Sequence, residues 1–280
     1  HWVGDGFPVR TIFSYNDFDN ELSPFLLMDY AGPYDFTPTK QKRGVGEHPH
    51  RGFETVTIVY SGEVEHRDSS GGGGMISEGD VQWMTAASGV VHEEFHSRKF
   101  SEDGGRFEMI QLWVNLPKKF KMSNPRYQGI KSKDIAVYSL EDSAGELRVI
   151  AGEYKDKSGP ALTYSPLNLW DLRVKEGKAI TLQVPEKHSC ALFVLEGQVQ
   201  VQDELVSDAE IAHFEVTGDT LSFTANKDSK ILFLGGEIIN EPVVGQGPFV
   251  MNSGEEIRQA FTDYQNGKMG KIERIEGSER

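Results

Sequence analysis

YSGEVEHRD, residues 60–68, and LEGQVQVQD, residues 195–203, are two versions of one phrase: a glycine turn entered from an apolar residue and left by an alternating strand. A period of two marks a half-buried β-strand. Each copy is followed by a Gly-Asp turn, Gly79-Asp80 and Gly218-Asp219, so the module reads as duplicated. Outward from these phrases, short apolar or alternating runs recur at 55–60, 81–85, 107–114, 191–195 and 230–234, separated by glycine-rich turns. That spacing predicts an all-β sandwich or barrel. Between the copies, Pro117 to Lys133 is rich in Pro, Lys, Asn and Gly and places a boundary near residue 130. The expected division is residues 1–130 and 131–280. A short helix near 254–266 should close the chain: Ser253 and Glu256 form a capping box, Ile257, Ala260, Phe261 and Tyr264 repeat at helical spacing, and Gly267 stops it.

Composition narrows the function classes. A formal net charge of -14 argues against wrapping nucleic acid, which demands a concentrated basic face. The densest basic run, Lys118-Lys119-Phe120-Lys121, reads as a solvated loop. One cysteine, Cys190, excludes an internal disulfide and fits a reducing compartment, so the expected location is cytoplasmic. No apolar run approaches membrane-spanning length. The first residue is His1 rather than Met, which leaves room for a preceding segment. GGGG at 71–74 lacks the Lys-Ser/Thr and the helix of a phosphate loop and reads as a hairpin tip.

Chemistry concentrates in the first copy. His48-Pro49-His50 and His92-Glu93-Glu94 set ligand-type side chains at i and i+2, which in an extended chain point to one face. Neutral imidazoles with one carboxylate suit a borderline divalent metal: iron, manganese, cobalt, nickel, copper or zinc. Flanking Phe53, Val56, Val90 and Val91 look core-facing, and Gly52 and Gly89 supply turns around a pocket. Which acid ligates stays open at this point, because His96 shares the face of His92 and Glu94, and Glu54 is in phase with His50. By the same parity Phe107, Met109, Gln111 and Trp113 share a face, and Gln111 is a polar interruption able to reach the metal or its ligand. Asp29, after the apolar run 25–28, is a comparable candidate; Arg51, Phe53, Trp83 and Met109 complete the expected pocket. Gap-free counting from the repeated glycines puts Gln183 and Pro185, then Ile231 and Phe233, where the second copy would carry ligands. None of the four is a histidine or an acid, so the second copy is expected to hold no metal.

HPHRGFETVTIVYSGEVEHRDS (48–69), GDVQWMTAASGVVHEEF (79–95), QLWVNLP (111–117) and NEPVVGQGPFVMN (240–252) together resemble the pirin family, a two-domain branch of the cupin superfamily. The resemblance runs over nearly the whole chain. It implies a bicupin of two β-barrel or jelly-roll domains with one metal, most often Fe(II), in the first. It assigns that metal to His48, His50, His92 and Glu94, leaves Glu54 as a supporting residue where other cupins place a ligand, and makes His96 a secondary candidate. It further implies quercetin 2,3-dioxygenase-type chemistry, the oxidative opening of a flavonol ring with release of carbon monoxide. For such a reaction Glu94 is the candidate general base that takes the substrate's hydroxyl proton, if its metal bond is labile. The expected partners are then an aromatic small molecule and dioxygen. Animal pirins are described as redox-sensitive co-regulators, which supplies the rival reading: an iron-binding regulatory protein that shows a protein partner an exposed, charged surface near Arg51 and Glu93.

Overall fold

The computed structural model describes residues 1–17 and 20–273. It is mostly β-sheet, divided into two compact units, with a helix near its C-terminal end. The five expected strands fall within observed ones, Phe53–Ser61, Val81–Thr85, Gly105–Asn115, His188–Glu196 and Ser229–Glu237.

One unit comprises residues 1–11, 28–132 and 240–280. Inside its larger, seven-stranded sheet Phe53–Ser61 is hydrogen-bonded on one side to Gly105–Asn115 and on the other to Val81–Thr85. Lying between two neighbours, that strand is buried on both faces through Tyr60, which is why its sequence is nearly continuous in β-branched and aromatic residues. A four-stranded sheet runs in the order Gly44–His50, Val90–His96, Glu63–Asp68, Gly73–Ser77. In Glu63–Asp68 the alternation is complete, with Val64, His66 and Asp68 inward. Phe7, Val9, Ala31, Phe36, Val59, Val64, Ile76 and Phe107 from both sheets form one apolar core.

The other unit, residues 12–27 and 133–239, repeats the plan. The sheet holding Leu167–Val174, His188–Glu196 and Ser229–Glu237 shares a core with the smaller sheet of Ala179–Gln183, Gln198–Val201, Glu204–Ser207 and Thr220–Ala225.

Four expectations need correction. Among the described residues the strand orders are open and no barrel closes by hydrogen bonding; the two sheets of each unit are joined through side-chain packing instead. The helix Gly254–Gln265 groups with the first unit, because Ile257 and Ala260 pack with Val91, Phe249 and Met251. The stretch 117–133 carries a strand, Arg126–Ile130, paired with Val81–Thr85, and buries Lys121. Lastly, Gly218-Asp219 is not the counterpart of Gly79-Asp80. The strand after Gly79-Asp80 pairs with Phe53–Ser61, whereas the corresponding partner of His188–Glu196 is Glu210–Phe214. The counterpart of Val90–His96 is therefore Thr220–Ala225, paired to Gln198–Val201 and Ala179–Gln183. At this place the second unit presents Ile180, Leu182, Val199, Leu221 and Phe223, all buried in its apolar core. The absence of ligand residues in the second copy stands, on different residues from those the count selected.

Candidate metal centre

Strand register assembles the site. Val90–His96 has Gly44–His50 on one side, with His48 opposite His92, and Glu63–Asp68 on the other, with His66 opposite Glu94 and Asp68 opposite His92. Gly52 turns the chain from the first histidine pair into Phe53–Ser61 at φ +93, where a Cβ would meet the Val250 carbonyl oxygen. The His48 and His92 ring centroids lie 4.1 Å apart, His50 and His92 4.9 Å, and His48 and His50 5.0 Å. His48 is half-buried; His50 and His92 are buried.

Each ring is held by its Nδ1. That of His48 meets the Gly46 carbonyl at 2.8 Å, that of His50 the Pro248 carbonyl at 3.2 Å, and that of His92 the Nδ1 of His66 at 3.3 Å. The nitrogen left on every ring is Nε2, and on His92 it is buried without a hydrogen-bond partner. Such an orphan is costly unless something accepts its lone pair. Burial, then the neighbouring imidazoles, lowers the His92 pKa and brings that of His50 down to about 3. Both rings are therefore neutral near pH 7, the form that binds a metal.

Glu94 stands on the other side of His92, in a second group made by His66, His92 and Glu94. Gln82 Nε2 donates to its Oε1 at 2.9 Å, with Thr57 at 3.4 Å, and Gln111 Nε2 donates to its Oε2 at 3.0 Å. Gln111, expected to reach the metal or a molecule bound to it, thus reaches the Glu94 carboxylate. Gln82 and His66 escaped the sequence reading, although His66 and Asp68 share the i, i+2 spacing that revealed the other pairs. His66 Nε2 meets Asp68 Oδ2 at 3.0 Å, and Tyr127 stacks on the His66 ring at 5.0 Å. Burial would raise the Asp68 pKa, but hydrogen bonds from His66 and Ser70 outweigh it and hold the carboxyl below the usual range.

The remaining candidates separate. Phe53 packs on His50 at 5.2 Å and stacks on Trp113 at 4.3 Å, so both aromatics wall the histidines. Trp83 and Met109 are core residues. Glu54 is buried and accepts from Thr85 at 2.6 Å; burial raises its pKa to about 7. Arg51 faces away from the role expected of it: its guanidinium donates to the Ser88 carbonyl and pairs with Asp263 of the helix at 2.9 Å. Arg51 is 4% and Glu93 9% exposed, so neither residue itself offers a charged surface, while the exposed Lys42 ammonium reaches Glu93 at 3.6 Å. The Asp29 carboxylate accepts from Thr11 at 2.6 Å, and no hydrogen bond among the described residues links it to the histidines. His96 donates from Nε2 to the Gly6 carbonyl at 2.8 Å inside a ring of Phe7, Phe36, Phe100 and Phe107; burial lowers its pKa to about 4. A parity argument cannot separate His96 from His92, because the two differ in which neighbours surround the same face.

The imidazoles of His48, His50 and His92 beside an unpartnered buried nitrogen, with the Glu94 carboxylate in the adjoining group that shares His92, fit a divalent metal ion, and two neighbouring strands of one four-stranded sheet carry them. These features define a metal-binding protein of the cupin type. Family models describe residues 6–114 as pirin and residues 169–270 as a pirin C-terminal cupin domain. The chain belongs to the pirin family. It is 58% identical over 96% of its length to a putative quercetin 2,3-dioxygenase of Pseudomonas aeruginosa, covering 94% of that protein. It is 38% identical to pirin-1 of Arabidopsis thaliana, over 95% of this chain and 90% of that one. A crystal structure of quercetin 2,3-dioxygenase from Acinetobacter baumannii is 55% identical and superposes with a TM-score of 0.94, covering 98% of this chain and 95% of the other. No helix among the described residues is long and apolar enough to cross a membrane.

Proposed function

We propose that the protein is a quercetin 2,3-dioxygenase-type oxidoreductase, in which His48, His50, His92 and Glu94 hold one Fe(II) ion and the substrate is quercetin or a related flavonol. The observation that carries the metal dependence is the buried, unpartnered Nε2 of His92 beside the His48 and His50 rings. The flavonol follows from the Pseudomonas and Acinetobacter relatives. When bound, a divalent metal supplies Lewis acidity that lowers the pKa of a substrate hydroxyl and a position beside it for dioxygen.

The protein's own groups then divide the work. His48, His50 and His92 keep the lone pairs of their Nε2 atoms available, because the Nδ1 contacts fix each ring's orientation. Phe53 and Trp113 give the site an apolar wall against which a flat aromatic ring stacks. Glu94 receives the substrate's hydroxyl proton on a carboxylate oxygen, and Gln82 and Gln111 hold that carboxylate in place from either end. The lone cysteine, buried and unpaired, suits a reducing compartment, and we place the reaction in the cytoplasm.

Aerobic turnover of quercetin by Fe(II)-loaded protein, followed as loss of flavonol absorbance and release of carbon monoxide, tests the reading. His48→Ala is expected to abolish turnover together with the bound metal. Glu94→Gln, which keeps the hydrogen-bonding shape, is expected to lower kcat by about 100-fold or more. No flavonol turnover with iron, manganese, cobalt, nickel or copper rejects the proposal.

A further inference from the structure

Taken together as hydrogen bonds, the polar contacts behind His92 select one assignment of their protons. The Glu94 carboxylate can only accept, so the Gln82 atom facing its Oε1 at 2.9 Å is the amide nitrogen, and the Gln82 oxygen accepts from the Tyr127 hydroxyl at 3.3 Å. The same nitrogen lies 3.2 Å from His66 Nδ1. An N–H donor there requires His66 Nδ1 to be an acceptor, which leaves the His66 proton on Nε2, donated to Asp68 Oδ2 at 3.0 Å. The Nδ1 of His92, 3.3 Å from that same acceptor nitrogen, then carries the His92 proton and shares the one lone pair of His66 Nδ1 with the Gln82 amide. All of this happens out of water, with His66 1% and Asp68 4% exposed.

We propose that Asp68 and His66 are positioning residues for the metal centre. They hold His92 in its Nδ1–H form and so present an unprotonated Nε2 to the ion. Neither residue touches the metal; the arrangement is a carboxylate–histidine–metal relay with a second imidazole interposed. The inference rests on the reading of His48, His50 and His92 as ligands.

The other Asp68 oxygen makes an isosteric test available. Oδ1 accepts from the Ser70 amide at 2.8 Å, the Ser70 hydroxyl at 2.6 Å and the Gly72 amide at 3.0 Å. In Asp68→Asn those three donors keep the amide oxygen on their side and turn the NH2 toward His66. His66 then accepts at Nε2 and carries its proton on Nδ1, and the Gln82 amide gives up that contact and keeps its bond to Glu94 alone. His92 must accept that bond at its own Nδ1, and its proton moves to the metal-facing Nε2.

Ni(II), which favours imidazole ligands, serves as the probe. Chelator competition on the full chain is expected to give one ion per wild-type molecule, none in His48→Ala, and about 10- to 100-fold weaker binding in Asp68→Asn. In metal-free, 15N-histidine-labelled protein, long-range 1H–15N spectra are expected to show His92 protonated at Nδ1 in the wild type and at Nε2 in the variant. Equal Ni(II) affinity in wild type and Asp68→Asn overturns the proposal and leaves the ligand reading intact. Absence of binding by the wild type overturns both together. Two ions per chain would make His66 a ligand, which also overturns it. A wild-type His92 protonated at Nε2 does so without recourse to any variant, including one that fails to fold.

Discussion

Lys121 ends a run of basic residues, yet its side chain is buried and its ammonium donates to Asn115 Oδ1, the Gly52 carbonyl and the Val250 carbonyl at 2.6, 2.7 and 3.0 Å. It ties the turn after the first histidine pair to the strand that precedes the C-terminal helix. Two of its acceptors lie 69 and 129 residues away, so nothing in the local sequence separates it from its exposed neighbours. Replacing it with Met strands three acceptors away from water. Lys121→Met is therefore expected to cost about 2–4 kcal/mol in urea unfolding. The histidine pairs were legible for the opposite reason: strand parity is local, and His48 with His50 and His92 with Glu94 stand out at i, i+2 spacing, although spacing left Glu54 and His96 open and the choice of Glu94 came from the pirin resemblance. Glu54 offers a pH test at the same scale. Burial raises its pKa from 4.5 to about 7 in the folded chain, so the native state keeps a proton that the unfolded chain releases. Stability from this group is full below pH 4.5 and is lost as pH rises through about 7. Glu54→Gln is expected to reduce the loss between pH 4.5 and 7 by about 1–3 kcal/mol, read from urea midpoints at the two ends.

Among the elements, the hairpins explain both what the repeat revealed and where it misled. The phrases at 60–68 and 195–203 do begin equivalent strands, but the first hairpin joins Glu63–Asp68 to Gly73–Ser77 and the second joins Gln198–Val201 to Glu204–Ser207. The shorter second hairpin shifts everything after it, and a gap-free count lands one strand too late. Turn length is set by what a hairpin tip must satisfy, here the donors gathered by Asp68, and that is not visible in the alternation. The helix was read closely because its signals are local. Ser253 Oγ accepts from the Glu256 amide at 3.2 Å, while Glu256 reaches back to the Asn252 amide, one residue earlier than the usual reciprocal bond. Ser253→Ala is expected to lower stability by about 1 kcal/mol, measured as a shift in the denaturant midpoint.

At the scale of the whole molecule, the composition shift at 117–133 places a cut near residue 130, and in the structure residue 132 ends one segment and 133 begins the next. What composition did not reveal is that the chain returns. Residues 240–280 rejoin the first unit, where Phe249, Met251, Ile257 and Ala260 pack with Val91 and Asp263 pairs with Arg51. Such a return depends on contacts between residues some two hundred positions apart, as between Arg51 and Asp263, which no window along the sequence samples. A fragment of residues 1–132 is accordingly expected to lack cooperative thermal unfolding. It would expose Val91 and leave the buried Arg51 without its carboxylate, which together remove several kcal/mol from a domain of marginal stability.

The return of the chain also sets a schedule for biosynthesis. The histidine pair at 48 and 50 leaves the ribosome early, but the carbonyl that steadies His50 belongs to Pro248, 198 residues later. The second unit, complete at residue 239, has all its strands before the first has its last segment. The nascent chain therefore carries its histidines through most of translation without the anchor that orients one of them. The His50 ring gains its Pro248 anchor only among the last contacts the chain can make.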